Sequence, residues 1–316
     1  MTRRRLLIAA AGAAMLGLVN LAASQPASRP ARIGLIATTP AFKEAFLSAL
    51  REAGYVEGQN MVVIHRPIGE TAVREVLAAN VDVLCASGPD TIAAARRATT
   101  TVPLVGVDLE TDPVASGLTK TLARPGGNVT GIFMDLPELG GKLIQLLREI
   151  VPGLARLGIV WYPEVGKIQF EATDSAARAA NLSVVSLPVK SADDLRRAFE
   201  RARRERVGGI VLLSAPLLLH QRALIADLAQ KSQLPAVSLF PAFPEAGGLL
   251  GYGPDFENMM RRAAGYVIRI LRGANPGDLP VERPAKFELV VSVKAARGLG
   301  VTIPHSLLLR ADRVIQ

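Results

Sequence analysis

The residue types that most often carry catalytic chemistry are few and scattered in this 316-residue sequence. Its three histidines, His65, His220 and His305, do not stand in a two-histidine metal spacing such as H-E-x-x-H. The single cysteine, Cys85, lies inside an apolar run with no sequence sign of a paired base, and no G-x-S-x-G nucleophile elbow occurs. Residues 251–253, Gly-Tyr-Gly, lack the third glycine of a dinucleotide fingerprint. The sequence therefore predicts no enzyme, no metal site and no cofactor.

Reversible ligand binding is the chemistry that the remaining polar and aromatic residues favour. In an open parallel α/β sheet, ligands bind outside the carboxyl ends of the strands, where loops converge and helix N-termini expose N–H groups. That rule, with a proposed hinge near residue 252, selects as candidate ligand-binding residues Thr38, Thr39, Ser87, Gly88, Asp108, Tyr162, Ser214, Ala215, Phe240 and Tyr252. Helix capping explains the hydroxyls and carboxylates equally well. The aromatic residues could instead fill the seam between two lobes.

A zwitterion would suit this set of side chains. Hydroxyls and helix N-terminal amides would bind its carboxylate, Asp108 would bind its ammonium group, and an aromatic residue would pack against its side chain. The hypothesis is therefore an amino acid or another aromatic or apolar small molecule.

The elements that must position these residues alternate between short β-branched runs and longer helical patterns. Continuous apolar runs predict strands buried on both faces, and helices between them supply the crossovers that parallel pairing requires. Helices are predicted at 41–53 and 255–271, where apolar residues recur at i, i+3 and i+4 spacing before a glycine. The predicted strands are 32–38, 61–66, 81–87, 102–108, 129–134, 157–162, 183–189, 209–214, 235–240, 249–252 and 287–293.

This pattern predicts an α/β protein with two doubly wound parallel-sheet lobes joined by a multi-segment hinge. The break falls near Leu136, and the stretches 247–254 and 281–284 are further places where the chain could cross. The predicted N-terminal lobe is 25–135 plus about 253–283, and the C-terminal lobe is 136–252 plus about 284–316.

The first 24 residues have the features of a signal peptide: three arginines, an apolar stretch at 6–23 and small residues for cleavage near Ser24. They leave open the general and the twin-arginine export routes, and an uncleaved anchor is the alternative. Cleavage lowers the net charge from +9 to +6, so nucleic-acid binding is not predicted. The basic stretch 196–206 is interpreted as a solvated helix face because acidic residues interleave it. The prediction is a periplasmic protein.

Several segments resemble one family of bacterial ABC transporter substrate-binding proteins, the family that includes tryptophan and tyrosine binders. The similar segments are 54–60 (Gly-Tyr-Val-Glu-Gly-Gln-Asn), 112–118, 124–131 (Arg-Pro-Gly-Gly-Asn-Val-Thr-Gly), 247–253, 286–291 and 299–304. The resemblance implies a type I periplasmic-binding-protein fold with three crossing segments. The sequence departs from the family at 161–166, where many members have an Asn-Pro-rich loop. It also has Leu-Glu-Thr at 109–111 in place of a glycine pair, which implies an atypical ligand.

The alternation and the resemblance together predict a non-catalytic solute-binding protein of an ABC importer. It would capture a small molecule by closure of two lobes and deliver it to an ABC permease in the inner membrane, acting as a monomer. The alternative is a sensory or regulatory ligand-binding module with the same fold, and an unrecognised enzyme is the third choice.

Overall fold

The computed structural model describes residues 29–37, 39–69, 71–134 and 139–316, so the predicted signal peptide, Thr38 and the predicted break at Leu136 lie outside the described residues. Two separate sheets with flanking helices form two lobes, which confirms the predicted α/β class. No helix in the described ranges is long and apolar enough to cross a membrane.

The first lobe is built on a five-stranded sheet in the order β2-β1-β3-β4-β5, in which every pairing is parallel. Its strands are β1 Ala31–Ile36, β2 Met61–Arg66, β3 Val83–Ser87, β4 Leu104–Asp108 and β5 Val129–Phe133, with helices α1 Pro40–Glu52, α2 Ala72–Ala78 and α3 Pro89–Ala98. All residues of β3, β4 and β5 are buried, as their apolar sequences predict for central parallel strands.

The second lobe is built on a seven-stranded sheet in the order β12-β11-β10-β9-β8-β6-β7. Its strands are β6 Arg156–Trp161, β7 Ser183–Pro188, β8 Gly209–Leu212, β9 Ala236–Ser238, β10 Leu250–Pro254, β11 Phe287–Ser292 and β12 Arg313–Ile315. The helices that follow β5 in the chain are α4 Leu139–Ile150, α5 Lys167–Ala179, α6 Ala192–Arg204, α7 Pro216–His220, α8 Arg222–Ser232, α9 Phe256–Leu271, α10 Val293–Gly298 and α11 His305–Arg310.

Helix α9 departs from this sequential order, because it follows β10 of the second sheet yet packs against α1 and against β3, β4 and β5 of the first sheet. After α9 the chain runs beside β5, where Phe133 N donates to Glu282 O at 2.9 Å and Glu282 N donates to Gly131 O at 3.0 Å. It then returns to the second sheet as β11. The chain thus passes between the sheets after β5, between β10 and α9, and between residue 282 and β11.

The second sheet differs from the prediction at its far edge. Strands β10 and β11 pair antiparallel, with Tyr252 opposite Leu289, whereas a wholly parallel sheet is predicted. The edge strand β12 is also absent from the prediction, because its three residues are too short and too polar to form an apolar run. Strand β2 has the predicted bounds, and the other predicted strands are displaced or shortened by a few residues at their ends.

Candidate functional site

The seam between the two lobes contains a chain of adjoining pockets. The central cavity, of about 40 Å³, is lined from the first lobe by Ser87, Gly88, Val107, Leu109 and Glu110, from the second by Pro216, Leu219 and Phe240, and otherwise by Phe42, Ile68, Phe256 and Met260. On one side it adjoins an open cleft of about 590 Å³ that shares Phe42, Leu219, Phe240 and Phe256 with it. On the other side it shares Pro216 with a pocket of about 140 Å³.

A pair of carboxyl groups forms a polar corner at the seam: Glu110 lines the central cavity, and Asp108, two residues before it, is buried outside the cavity lining. Asp108 ends β4 and is 1% exposed; its Oδ1 accepts a hydrogen bond from the backbone N–H of Glu110 at 2.9 Å. Asp108 Oδ2 is buried and has no hydrogen-bond partner among the described residues. Burial, and then the negative charge of Asp108 and a hydrogen bond between the two carboxyls, raise the pKa of Glu110 well above its ordinary value. Burial next to Asp108 therefore favours the protonated form of Glu110 more than water does.

Ser87 adds a third polar group beside this corner. It ends β3, where it lies opposite Val107 in the parallel register, next to Asp108. The Ser87 side chain lines the cavity and is 8% exposed, and its Oγ has no hydrogen-bond partner in the described part of the chain. Buried polar atoms in folded proteins are nearly always hydrogen-bonded. Unpartnered oxygens from Ser87 and Asp108 therefore mark this corner as a place for a polar ligand group.

The opposite wall of the cavity is aromatic. The rings of Phe42 and Phe256 stack with centroids 4.9 Å apart and planes 3° apart, and Phe240 of the second lobe lies 5.9 Å from Phe256. Phe42 is in the first turn of α1, and Phe256 begins α9, so both helix N-termini meet at this wall. An apolar or flat ligand body would pack against these rings.

Two hydrogen bonds join the lobes at the polar corner, and a third bond within the second lobe holds Gln169 against Ser214. The Ser214 hydroxyl donates to Glu110 Oε1. Gln169 of α5 is buried; its side-chain nitrogen donates to the Leu109 carbonyl at 3.3 Å, and its side-chain oxygen accepts from the Ser214 backbone N–H at 3.1 Å. Because the Ser214–Glu110 and Gln169–Leu109 bonds bridge residues that must separate when the lobes open, the structure represents a closed arrangement.

The structure brings part of the sequence-predicted set together at this cavity and leaves part of it elsewhere. Ser87, Gly88 and Phe240 line the cavity, and Ser214 contacts Glu110 from the opposite lobe. Asp108 does not line the cavity, but it accepts the backbone N–H of Glu110, which does. Ala215 is fully buried directly before α7.

The remaining predicted residues lie at or beyond the ends of the seam. Thr39 lines the open cleft, but its hydroxyl caps α1 by accepting from Phe42 N at 3.3 Å. Tyr162 lines the side pocket with Asp90 and Lys190. Tyr252 lies within β10, where it stacks on Phe287 at 6.0 Å, and lines none of the seam pockets.

Glu110, Gln169, Phe42 and Phe256 are site residues that the strand-end rule does not select. The signal for Glu110 is the departure from the family pattern at 109–111. Phe42 and Phe256 belong to the apolar faces of the predicted helices, and nothing in the sequence indicates that these faces meet at the cavity.

Known proteins are similar to this chain over most of its length. A family model described as ABC transporter substrate binding protein matches residues 38–315. A protein from Clostridioides difficile (strain R20291) named tyrosine-binding protein is 25% identical over 268 residues, which are 81% of this chain and 76% of that protein.

Two solved structures share the fold. One is an ABC domain in complex with L-Trp from Streptococcus pneumonia; it has a TM-score of 0.82 and 24% identity and covers 90% of this chain and 100% of its own. The other is a ligand-free, open substrate-binding protein with adhesive properties from Clostridium difficile, with a TM-score of 0.66, 20% identity and coverage of 90% and 99%.

The predicted type I periplasmic-binding-protein fold and the predicted family are both confirmed by these matches. Because the family model spans nearly the whole described chain, this protein belongs to the ABC transporter substrate-binding proteins, a family that binds ligands and has no catalytic role.

Proposed function

We propose that this protein is the solute receptor of an ABC importer and that it captures an amino acid or a related aromatic or apolar molecule in the seam between its lobes. The observation that carries the proposal is the juxtaposition of unpartnered buried oxygens with an aromatic wall. Ser87 and Asp108 would receive a polar head group, and Phe42, Phe240 and Phe256 would enclose an apolar body. The names of two similar proteins, one tyrosine-binding and one complexed with L-Trp, support an aromatic amino acid as the first compound to test.

Capture requires the lobes to open. A cavity of about 40 Å³ is far smaller than the roughly 150 Å³ of an apolar cavity that holds a benzene molecule. The three passages of the chain between the sheets would act as the hinge between an N-terminal lobe of 25–135 plus about 253–283 and a C-terminal lobe formed by the rest of the mature chain. A ligand that contacts both lobes binds the closed form better than the open form, so it shifts the population toward closure. The permease would then recognise the closed shape.

The cellular location follows from the family and from the targeting segment. ABC transporter substrate-binding proteins act outside the cytoplasm, and residues 1–24 carry the features of a signal peptide. We place the mature protein in the periplasm as a monomer, with an ABC permease of the inner membrane as its partner.

A thermal-shift screen of the purified mature protein tests the capture function. The panel contains amino acids, aromatic amines, aromatic acids, sugars and nucleosides, and a compound that binds only the folded state raises Tm by mass action. We expect L-tryptophan, L-tyrosine or a close analogue to give the largest shift. If every class leaves Tm unchanged across millimolar concentrations, the protein is not a small-molecule receptor.

The importer role needs a cellular measurement. A strain lacking this gene should take up the radiolabelled screening hit more slowly than the parent strain, and the intact gene should restore uptake. Normal uptake combined with loss of a transcriptional response to the same compound would instead assign the protein to sensing.

A further inference from the structure

The carboxyl pair at the lobe seam has one more hydrogen-bonding position than its surroundings satisfy. Asp108 Oδ1 receives the Glu110 backbone N–H and Glu110 Oε1 receives the Ser214 hydroxyl, whereas Asp108 Oδ2 has no donor in the described ranges. An ionised carboxylate can only accept hydrogen bonds, but a protonated one can donate. A proton on Glu110 therefore supplies the donor that Asp108 Oδ2 lacks, and the two side chains share it.

No cation compensates this pair from inside the cavity. Among the described lining residues there is no lysine, arginine or histidine. The neighbouring side chains from the other elements are neutral. Ser87 from β3 and Met260 from α9 line the cavity with Glu110, and Ser214 after β8 donates to Glu110. Gln169 from α5 bonds to Leu109 and to Ser214. Asp90, Tyr162 and Lys190 lie in the adjoining side pocket. Two unpaired negative charges in a buried site are costly, so the pair keeps one proton.

Ser87 provides an independent indication that a ligand group belongs here. Its Oγ is more than nine-tenths buried, lacks a hydrogen-bond partner in the part of the chain that the structure describes, and belongs to a residue that lines the same cavity. Its lone pairs and those of the two carboxyls are all acceptors. The ligand group that satisfies three neighbouring acceptors, two of them carboxyl groups, is a protonated amine with its several N–H donors.

We propose that Asp108 and Glu110, with Ser87, bind the ammonium group of the ligand, and that this group displaces the proton which the carboxyl pair otherwise holds. The inference rests on the proposed function, because it assigns the polar corner of that same seam. On binding, the ligand N–H groups donate to the carboxylates and the Glu110 proton passes to solvent. The seam would therefore accept amines and net-neutral amino acids and reject anions, and affinity would rise with pH until the ligand amine itself loses its proton.

Infrared spectroscopy tests the shared proton without any ligand. The difference spectrum between the wild-type protein and Glu110→Gln at pH 7 should contain the C=O stretch of one protonated carboxylic acid. Glu257→Gln is the matched control, because it is the same side-chain change at a carboxyl that lines the open cleft and not the central cavity. If the Glu110 difference spectrum shows only an ionised carboxylate, the shared proton is refuted, whatever compounds the protein binds.

Three related probes test the recognition of the amine. L-tryptophan carries both charged groups, tryptamine lacks the carboxylate, and indole-3-propionate lacks the ammonium group. Calorimetry at pH 7 in two buffers of different ionisation enthalpy should show binding of the first two with proton release, and binding of indole-3-propionate at least 100-fold weaker. Equal affinity for indole-3-propionate and tryptamine overturns the proposal, while the capture function stands.

Two variants separate the roles of the carboxyls. Asp108→Asn should weaken tryptamine binding at every pH. Glu110→Gln should abolish proton release. It should bind tryptamine as the wild type does at pH 5 but at least about tenfold more weakly at pH 8, because one charge-assisted hydrogen bond is lost. Unchanged proton release in Glu110→Gln contradicts the assignment. If the only compounds that bind are uncharged, such as sugars, the amine site is refuted and the capture function survives; if nothing in the screen binds, both fail.

Discussion

The hydroxyl of Ser214 in the second lobe donates a hydrogen bond to the carboxyl of Glu110 in the first lobe, and the two residues are 104 positions apart in the sequence. Neighbouring bonds from Gln169 to Leu109 and from Ser214 to Gln169 reinforce the same corner. The bonds from Ser214 to Glu110 and from Gln169 to Leu109 depend on closure, because their donors and acceptors lie in different lobes, whereas the Ser214–Gln169 bond lies within the second lobe. Under the proposed function, the polar corner would therefore combine two tasks: contact with the ligand and stabilisation of the closed lobes.

Ser214→Ala should shift the protein toward the open form. The variant loses one inter-lobe hydrogen bond with a net contribution of about 0.5–1.5 kcal/mol, so the affinity for the screening hit should fall by roughly threefold to tenfold. Small-angle X-ray scattering should show a larger radius of gyration at subsaturating ligand. Ser48→Ala is the control, because Ser48 donates to Glu52 within α1 and lines none of the seam pockets. Equal behaviour of the two variants would show that the Ser214 bond does not contribute to closure.

Phe240→Leu should reduce the preference for aromatic ligands. The ring of Phe240 belongs to the cavity wall with Phe42 and Phe256, and leucine keeps the apolar character while removing the aromatic face. We expect the affinity ratio of L-tryptophan to L-leucine, measured by calorimetry, to fall about tenfold, which corresponds to roughly 1.4 kcal/mol. Tyr252→Leu should leave that ratio unchanged because Tyr252 packs on Phe287 within the second sheet. If Tyr252→Leu lowers that affinity ratio and Phe240→Leu does not, the aromatic ligand site lies at β10 and not at the central cavity.

Phe240 and Tyr252 are both predicted as ligand residues, but only Phe240 lines the central cavity. Apolar runs locate the strands, and the strand-end rule then finds Ser87, Asp108 and Ser214, since the ends of parallel strands share one edge. Tyr252 lies inside a strand and not after one, so its side chain points to a sheet face. Its placement depends on where β10 ends, which is the least certain part of a sequence-based prediction.

Contacts across the seam between the lobes cannot be predicted from local sequence patterns. Glu110 and Ser214 meet only because two independently folded sheets are brought together, and no local periodicity encodes that pairing. The same holds for Phe42 and Phe256, whose helices are predictable from apolar spacing but whose rings stack because α9 returns to the first lobe. The elements of the site are therefore predictable, whereas its cross-lobe geometry requires the structure.

Thr39→Ala distinguishes capping from ligand contact at the edge of the open cleft. The Thr39 hydroxyl accepts from Phe42 N, so its loss should lower the free energy of unfolding by about 1 kcal/mol. Thr39→Ser should retain nearly all of the stability, because serine caps equally well. Urea denaturation measures both variants. A variant that keeps wild-type stability but loses affinity for the screening hit would identify Thr39 as a ligand residue.

Glu110→Gln should change how stability depends on pH. The pKa of Glu110 is raised on folding, mainly by burial and then by Asp108. Above its ordinary value of about 4.3, the folded state therefore binds more protons at this site than the unfolded state. Stability from this group is fully present below that value and is lost as pH rises through the raised pKa. Glutamine does not titrate, so the Tm of Glu110→Gln relative to the wild type should increase steadily from pH 4.5 to pH 8.

Glu75→Gln is a control in which the Tm difference from the wild type should change with pH in the opposite direction. Hydrogen bonds from Arg66 and Thr71 lower the pKa of Glu75, so its contribution is present at high pH and lost as pH falls through the lowered value. Replacing it should make the Tm difference from the wild type slightly more negative as pH rises, with a small amplitude because the ion pair is exposed to solvent. Calorimetric melting of the three proteins in matched buffers measures both slopes. If the Tm differences of the two variants change with pH in the same direction, Glu110 behaves as an ordinary surface carboxylate. That result would refute the proposed shared proton at the lobe seam.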